Sequence, residues 1–168
     1  MSHQRIWTAN TRSNFLTPSS DFESSQAVVA GDQVFLVGCT GLTLDGKGFV
    51  GEGDPAAQAD QAMHNVRTLL EEVGARIEDI CLINNFTTNR PDREQVYPVV
   101  AQHLQGVNPV STGLIVKDLA APHIRFQIDA WAVIPHDRQR GHQRFRVRNA
   151  KGGFAVPGMN LDCARIIR

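Results

Sequence analysis

Residues 123–134 read HIRFQIDAWAVI, and no other stretch restricts the architecture of this chain as much. Successive side chains of a strand point to opposite faces. Ile124, Phe126 and Ile128 therefore fall on one side, and Arg125, Gln127 and Asp129 on the other. A one-residue slip would exchange the two sets, so the register is fixed wherever one face is buried. The apolar face must pack under a hydrophobic layer. The polar face must meet water, a ligand or a partner chain.

The layer is supplied by helices. Ala59, Ala62, Met63, Val66, Leu69, Leu70 and Val73 form one stripe at helical spacing, which predicts a helix over 55–73. Asp54 suits its N-cap, Pro55 its first turn and Gly74 its stop. A second helix is expected over about 92–104, with Val96, Val99, Val100 and Leu104 inward. Pro98 inside it should kink it or delay its start. AVVAGDQVFLVGCTG (27–41) places a Gly-Asp turn between two apolar runs, a hairpin signal. DICLINNFTT (79–88) is a further strand, with Asn84 and Asn85 taken as its end. STGLIVKD (111–118) is expected to pair with 123–134 through the four residues between them. With a leading strand from Arg5 to Asn10, the order is β-β-β-α-β-α-β-β. The expected class is α+β: a mixed six-stranded sheet with both helices on one face.

Composition narrows the function. Apolar residues make up 42% of 168, enough for a core. No apolar run approaches 18 residues, so no membrane helix is expected. The start MSHQRIWTANTRSNF does not read as a secretory signal. Cys39, Cys81 and Cys163 are odd in number and match no metal spacing, which points to a reducing cytoplasm. LDGKGFVGEG lacks the Lys-Ser/Thr of a phosphate loop, and neither Gly-x-Ser-x-Gly nor His-Glu-x-x-His occurs. The six histidines are scattered, so no metal and no cofactor is expected. Net charge is zero but uneven. Nine basic and fifteen acidic residues precede position 136, and eight basic and two acidic follow. The acidic body has the wrong sign for phosphate backbones, so nucleic acid is not an expected partner. The basic tail is expected to dock on its own acidic protein.

SDFESSQAVVAGDQVFLVGCTG (20–41), AAQADQAMHNVRTLLEEVGARIEDI (56–80) and NPVSTGLIVKDLAAPHIRFQIDAWAVI (108–134) resemble the YjgF/RidA family, also described as endoribonuclease L-PSP-like. The resemblance covers about 20–135. It implies a chorismate-mutase-like fold and a homotrimer whose sheets form a central barrel, with small-molecule clefts between subunits. It also implies hydrolysis of reactive enamines and imines such as 2-aminoacrylate. That chemistry needs an anchor for the substrate carboxylate, best an arginine fork, and a group to place one water.

Carried onto this chain, the anchor arginine falls on Val110. The two carboxylates of the closing strand fall on Gln127 and Asp129. The cleft aromatic falls on Phe22, which has no hydroxyl, and a cleft serine on Val37. Thr112 and Cys39 are lining positions. Arg125 either supplies a displaced cation or pairs with Asp129. Cys39 is either a nucleophile or a structural thiol. The expected function is a Rid-type trimer binding a small nitrogen-containing metabolite, with hydrolytic deamination by a rearranged site. The alternative is a metabolite-binding or sensing protein of the same fold without catalysis, and ribonuclease activity ranks last.

The chain also repeats itself. HQRIWTANTRSNFLTP (3–18) laid on 142–157 matches at His142, Gln143, Arg144, Asn149, Phe154 and Pro157 without a gap. The expected organisation is a domain over 1–135 and a basic extension over 136–168 that resembles the start of a second copy. Arg144, Arg146 and Arg148 alternate with Phe145 and Val147. A strand over 144–149 is expected to join an existing sheet edge, having no hairpin partner of its own.

Overall fold

The computed structural model describes residues 3–6, 25–138, 147–148 and 154–155. These form a mixed α+β unit. Its strands are β1 (Gln4–Ile6), β2 (Ala27–Ala30), β3 (Gln33–Leu36), β4 (Ile80–Thr87), β5 (Val110–Ile115) and β6 (Phe126–Val133). Its helices are α1 (Pro55–Glu72) and α2 (Arg90–His103). The sheet order is β1-β2-β3-β6-β4-β5. The Asp54 carboxylate caps α1, accepting from the N–H groups of Ala56 and Ala57 at 3.0 and 3.1 Å. Asn89 caps α2 through the N–H of Asp92 at 3.1 Å. That helix starts at Arg90 and continues through Pro98. Pro98 and Glu94 are both exposed, so the carbonyl that proline leaves without a donor can face solvent.

The core lies between the helices and one sheet face. Ala59, Ala62, Met63, Val66, Leu69 and Leu70 of α1 meet Phe126, Ile128, Ala130 and Ala132 of β6, all buried. Along β6 the burial alternates residue by residue, as its sequence requires.

The expected pairing of 111–118 with 123–134 does not form. β5 runs parallel to β4, from Leu82 opposite Val110 to Thr87 opposite Ile115. β6 lies on the other side of β4, antiparallel to it and to β3. The cause is α2: a β-α-β crossover delivers its second strand parallel to its first. β5 thus takes the outer flank of β4, and residues 116–125 carry the chain back across to β6. The segment 147–148 also differs from expectation. It does pair within the chain, as β7 (Val147–Arg148) antiparallel to β8 (Phe154–Ala155), in a sheet separate from the main one. The Gly152-Gly153 pair between these strands is a turn signal that the repeat alignment obscured. Of the rest of the extension, only residues 136–138 are described. Arg138, past the expected boundary at 135, forms an ion pair with buried Asp79.

One side chain joins these parts. Gln58 of α1 is fully buried. Its amide donates to the Gly51 carbonyl at 2.8 Å and the His123 carbonyl at 2.9 Å. Its oxygen accepts from the N–H groups of Arg125 at 2.8 Å and Phe126 at 3.2 Å. Gly51 has φ +77°, and a Cβ there would stand 2.7 Å from the Gln58 backbone nitrogen, so only glycine fits. Gln58→Leu should orphan several buried polar groups at about 1–3 kcal/mol each. The expected loss is about 3 kcal/mol, or roughly 10 °C in thermal midpoint. A leucine variant that melts with the parent would show that this network contributes nothing to stability.

Candidate functional site

The sheet face away from the helices carries the polar row. Asn84 pairs in register with Thr112 on one side and Asp129 on the other, so the three side chains share that face. The next row is Leu114, Phe86 and Gln127, and the row on the other flank is Val110, Leu82, Trp131 and Phe35. A polar strip is thus bordered by apolar side chains. Phe35, Val110, Leu114 and Val133 are among the most exposed large apolar residues described, with Val110 at 66%. Val110 stands at the start of β5, whose six residues are all exposed.

Gln127 donates to the Asp129 carboxylate at 3.2 Å. Partial burial raises the Asp129 pKa, and the Gln127 bond only partly opposes this. Gly38 lies directly beneath the pair. A Cβ there would collide with the Gln127 amide and come within 3.0 Å of the Asp129 oxygen, so the backbone closes one side of the site. The arrangement offers a carboxyl held toward its protonated form, two amides and a hydroxyl. It can donate a proton to a nitrogen, or accept one from a water.

The positions singled out in the sequence separate in space. Gln127, Asp129, Thr112 and Val110 share the outer face. Val37 is half-buried beside it, its N–H bonded to the Gln26 carbonyl at 2.8 Å. Cys39 bridges Ile128 and joins the core. Burial, with a smaller contribution from the Asp129 charge, pushes its thiol up to about 12, so it is no nucleophile at neutral pH. Arg125 neither joins the polar row nor pairs with Asp129. It precedes β6 and grips the fully buried Asp92 of α2 with both arms of its fork, one of them Nε at 2.9 Å. Its Nη1 donates to the Gly53 carbonyl at 2.8 Å. Phe22 lies outside the described residues.

Two asparagines taken for the end of a strand sit well inside β4. Asn84 completes the polar row. Asn85 is buried on the core face and donates to the Ser111 hydroxyl at 3.3 Å. The β-forming Phe86 and Thr87 that follow were the signal that the strand continues.

Helices over one face of a mixed sheet, with a bordered polar strip on the other, define a small α+β protein. Comparison with known proteins gives the lineage. Residues 16–134 match the family model described as Endoribonuclease L-PSP. A 2-iminobutanoate/2-iminopropanoate deaminase from Dermatophagoides farinae is 29% identical over 119 residues, 71% of this chain and 91% of that protein. A YjgF/YER057c/UK114 family member from Mycobacterium tuberculosis superposes with a TM-score of 0.66 at 25% identity, over 79% of this chain and all of that one. A Rid-family protein from Yersinia pestis gives 0.66 at 22% identity, over 79% and 100%. The chain belongs to the YjgF/RidA, or endoribonuclease L-PSP, family.

The raised Asp129 pKa makes a prediction with a definite sign. Above the ordinary aspartate value of 3.8 the folded chain holds this proton more tightly than the unfolded chain does. The stabilisation is present at low pH and is lost as pH rises through the folded value. Asp129→Asn should therefore gain thermal stability relative to the parent as pH rises from about 4 to neutrality. A difference that stays constant with pH, or runs the other way, would contradict the raised value.

Proposed function

We propose that the protein is a homotrimer, its subunits meeting over the outer sheet faces, which binds small imines in clefts beside the Thr112–Asn84–Asp129 strip and hydrolyses them. The exposed apolar borders of that strip support the assembly, because such a face is seldom left to water. The observation that carries the chemistry is Asp129: a carboxyl shifted toward protonation, in line with two neutral polar groups. As the acid it donates a proton to the imine nitrogen. As the carboxylate it accepts one from the attacking water. Water adds to the imine carbon, the resulting amino alcohol loses ammonia, and a carbonyl compound remains.

Val110 sets the substrate class. The arginine that would hold a substrate carboxylate is absent there, and Arg125 is committed to Asp92. A hydrogen bond to a charged group contributes about 1.5–3 kcal/mol, roughly tenfold to a hundredfold in affinity. The preferred substrates are therefore imines with an apolar substituent where 2-iminopropanoate carries its carboxylate. The absence of the anchor also favours a second reading, in which the cleft binds a metabolite without turning it over. Ribonuclease activity has the least support, since the body is acidic.

Two measurements test this. Imines generated in situ by amine and amino-acid oxidases should give faster carbonyl release from apolar amines than from alanine. Val110→Arg should raise the alanine-derived rate about tenfold or more, and Asp129→Asn should reduce both. High turnover of 2-iminopropanoate by the parent would overturn the substrate assignment. Binding without release from any imine would select the second reading. For the assembly, light scattering should give a trimer, and Phe35→Glu should shift it toward monomer. A monomeric parent at micromolar concentration would rule the trimer out.

A further inference from the structure

On the helix side of the sheet, three metal-ligating side chains converge. Asp60 and His64 stand four residues apart on α1, so they share one helix face. His103 ends α2, which packs against α1. The His103 Nε2 lies 2.7 Å from one Asp60 oxygen, and the His64 Nε2 lies 3.5 Å from the other. The two imidazoles meet edge to face, with centroids 5.3 Å apart. One ligand atom from each residue can be chosen so that all three lie within 4.8 Å of one another.

We propose that Asp60, His64 and His103 form a binding site for a divalent transition-metal ion, Zn2+ being the best match. The donor set is borderline in softness, two imidazoles and one carboxylate, which suits zinc and its neighbours rather than magnesium or calcium. Zinc–ligand bonds of about 2.0–2.1 Å place tetrahedral donors about 3.3 Å apart. The His64 Nε2 stands 3.5 Å from one Asp60 oxygen, already of that size, and the His103 Nε2 faces the other, so the half-open Asp60 carboxylate must turn to offer one oxygen to an ion between the two rings. The Asp60–His103 separation of 2.7 Å is that of a hydrogen bond. It opens by about half an ångström when a metal ion takes the place of the hydrogen between them, the neutral imidazole then carrying its N–H on Nδ1. The two imidazoles face different oxygens of one carboxylate, His103 at hydrogen-bond distance and His64 at 3.5 Å, and a metal ion can bind all three residues at once. His103 is 13% exposed and held in position, while Asp60 and His64 are half open, so an ion can enter. Three protein ligands leave a position for water or an external ligand. The ion would clip α1 to α2 on the far side of the sheet from the polar strip.

The test uses the full chain after chelator treatment. Calorimetric titration with Zn2+ should show one saturable equivalent, and Co2+ should give the visible absorption of a tetrahedral site. Zn2+ should also raise the thermal midpoint. His64→Ala is exposed and expected to fold. It should weaken binding at least about tenfold, since even losing a partner of a ligand costs about that much, and it should abolish the thermal shift. Asp60→Asn should weaken binding as well, while His136→Ala should leave it unchanged. Saturable binding that is unaltered in His64→Ala would assign the metal elsewhere and overturn the proposal. So would the absence of saturable binding by the parent.

Discussion

The fold turns on a fully satisfied glutamine. The chain from β5 must cross the end of β4 before entering the sheet as β6, and nothing in local propensity tells it where to enter. Gln58 does, by bonding the backbone on both sides of that entry point: the His123 carbonyl and the Arg125 and Phe126 N–H groups. The same amide reaches the Gly51 carbonyl and so fixes the loop leading into its own helix. A buried amide that uses both of its donors and both lone pairs leaves nothing unpaired, and it is specific in a way that an apolar contact is not. Because it fixes where β6 begins, it also fixes which residues of β6 face outward. Asp129 and Gln127 hold their places on the outer face through a contact made on the other side of the sheet.

The parts of the fold legible in the sequence were those governed by nearest neighbours in the chain. The α1 stripe with its Asp54 cap, the Gly31-Asp32 turn and the alternation of β6 all depend on spacing within a few residues. Strand partnership does not. Two apolar runs separated by four residues read as a hairpin, but the crossover through α2 had already committed 110–115 to the far flank of β4. Arg125 was misplaced for a related reason. Period-two counting carried it onto the face of Gln127, although the strand begins one residue later and a buried carboxylate from a distant helix claims its guanidinium. The short pairing of β7 with β8 follows the Gly152-Gly153 turn signal in the sequence, not the likeness of the segment to the N-terminus.

The candidate site was half legible. Family resemblance picked out Gln127, Asp129, Thr112 and the anomalous Val110, and their shared face follows from register. Asn84 was missed because consecutive asparagines suggest a turn, whereas here they put one amide on each side of the sheet. The helix-side cluster shows the same division. Asp60 and His64 are readable as a helical pair, but His103 joins them only through the packing of α2 on α1.

The edge position of β5 has a consequence for how such a protein can change. This strand hydrogen-bonds to one neighbour, and Val110 at its start touches little else of its own subunit. Replacing that side chain therefore perturbs the folding free energy of the single chain far less than replacing a β6 residue would. Its effect would be felt where subunits or ligands meet it. Under the proposed function, ligand preference and chain stability would thus be set by different strands. On the same reading, a lineage carrying this fold could exchange an arginine for a valine there, and so redirect its chemistry, without first having to repair its core.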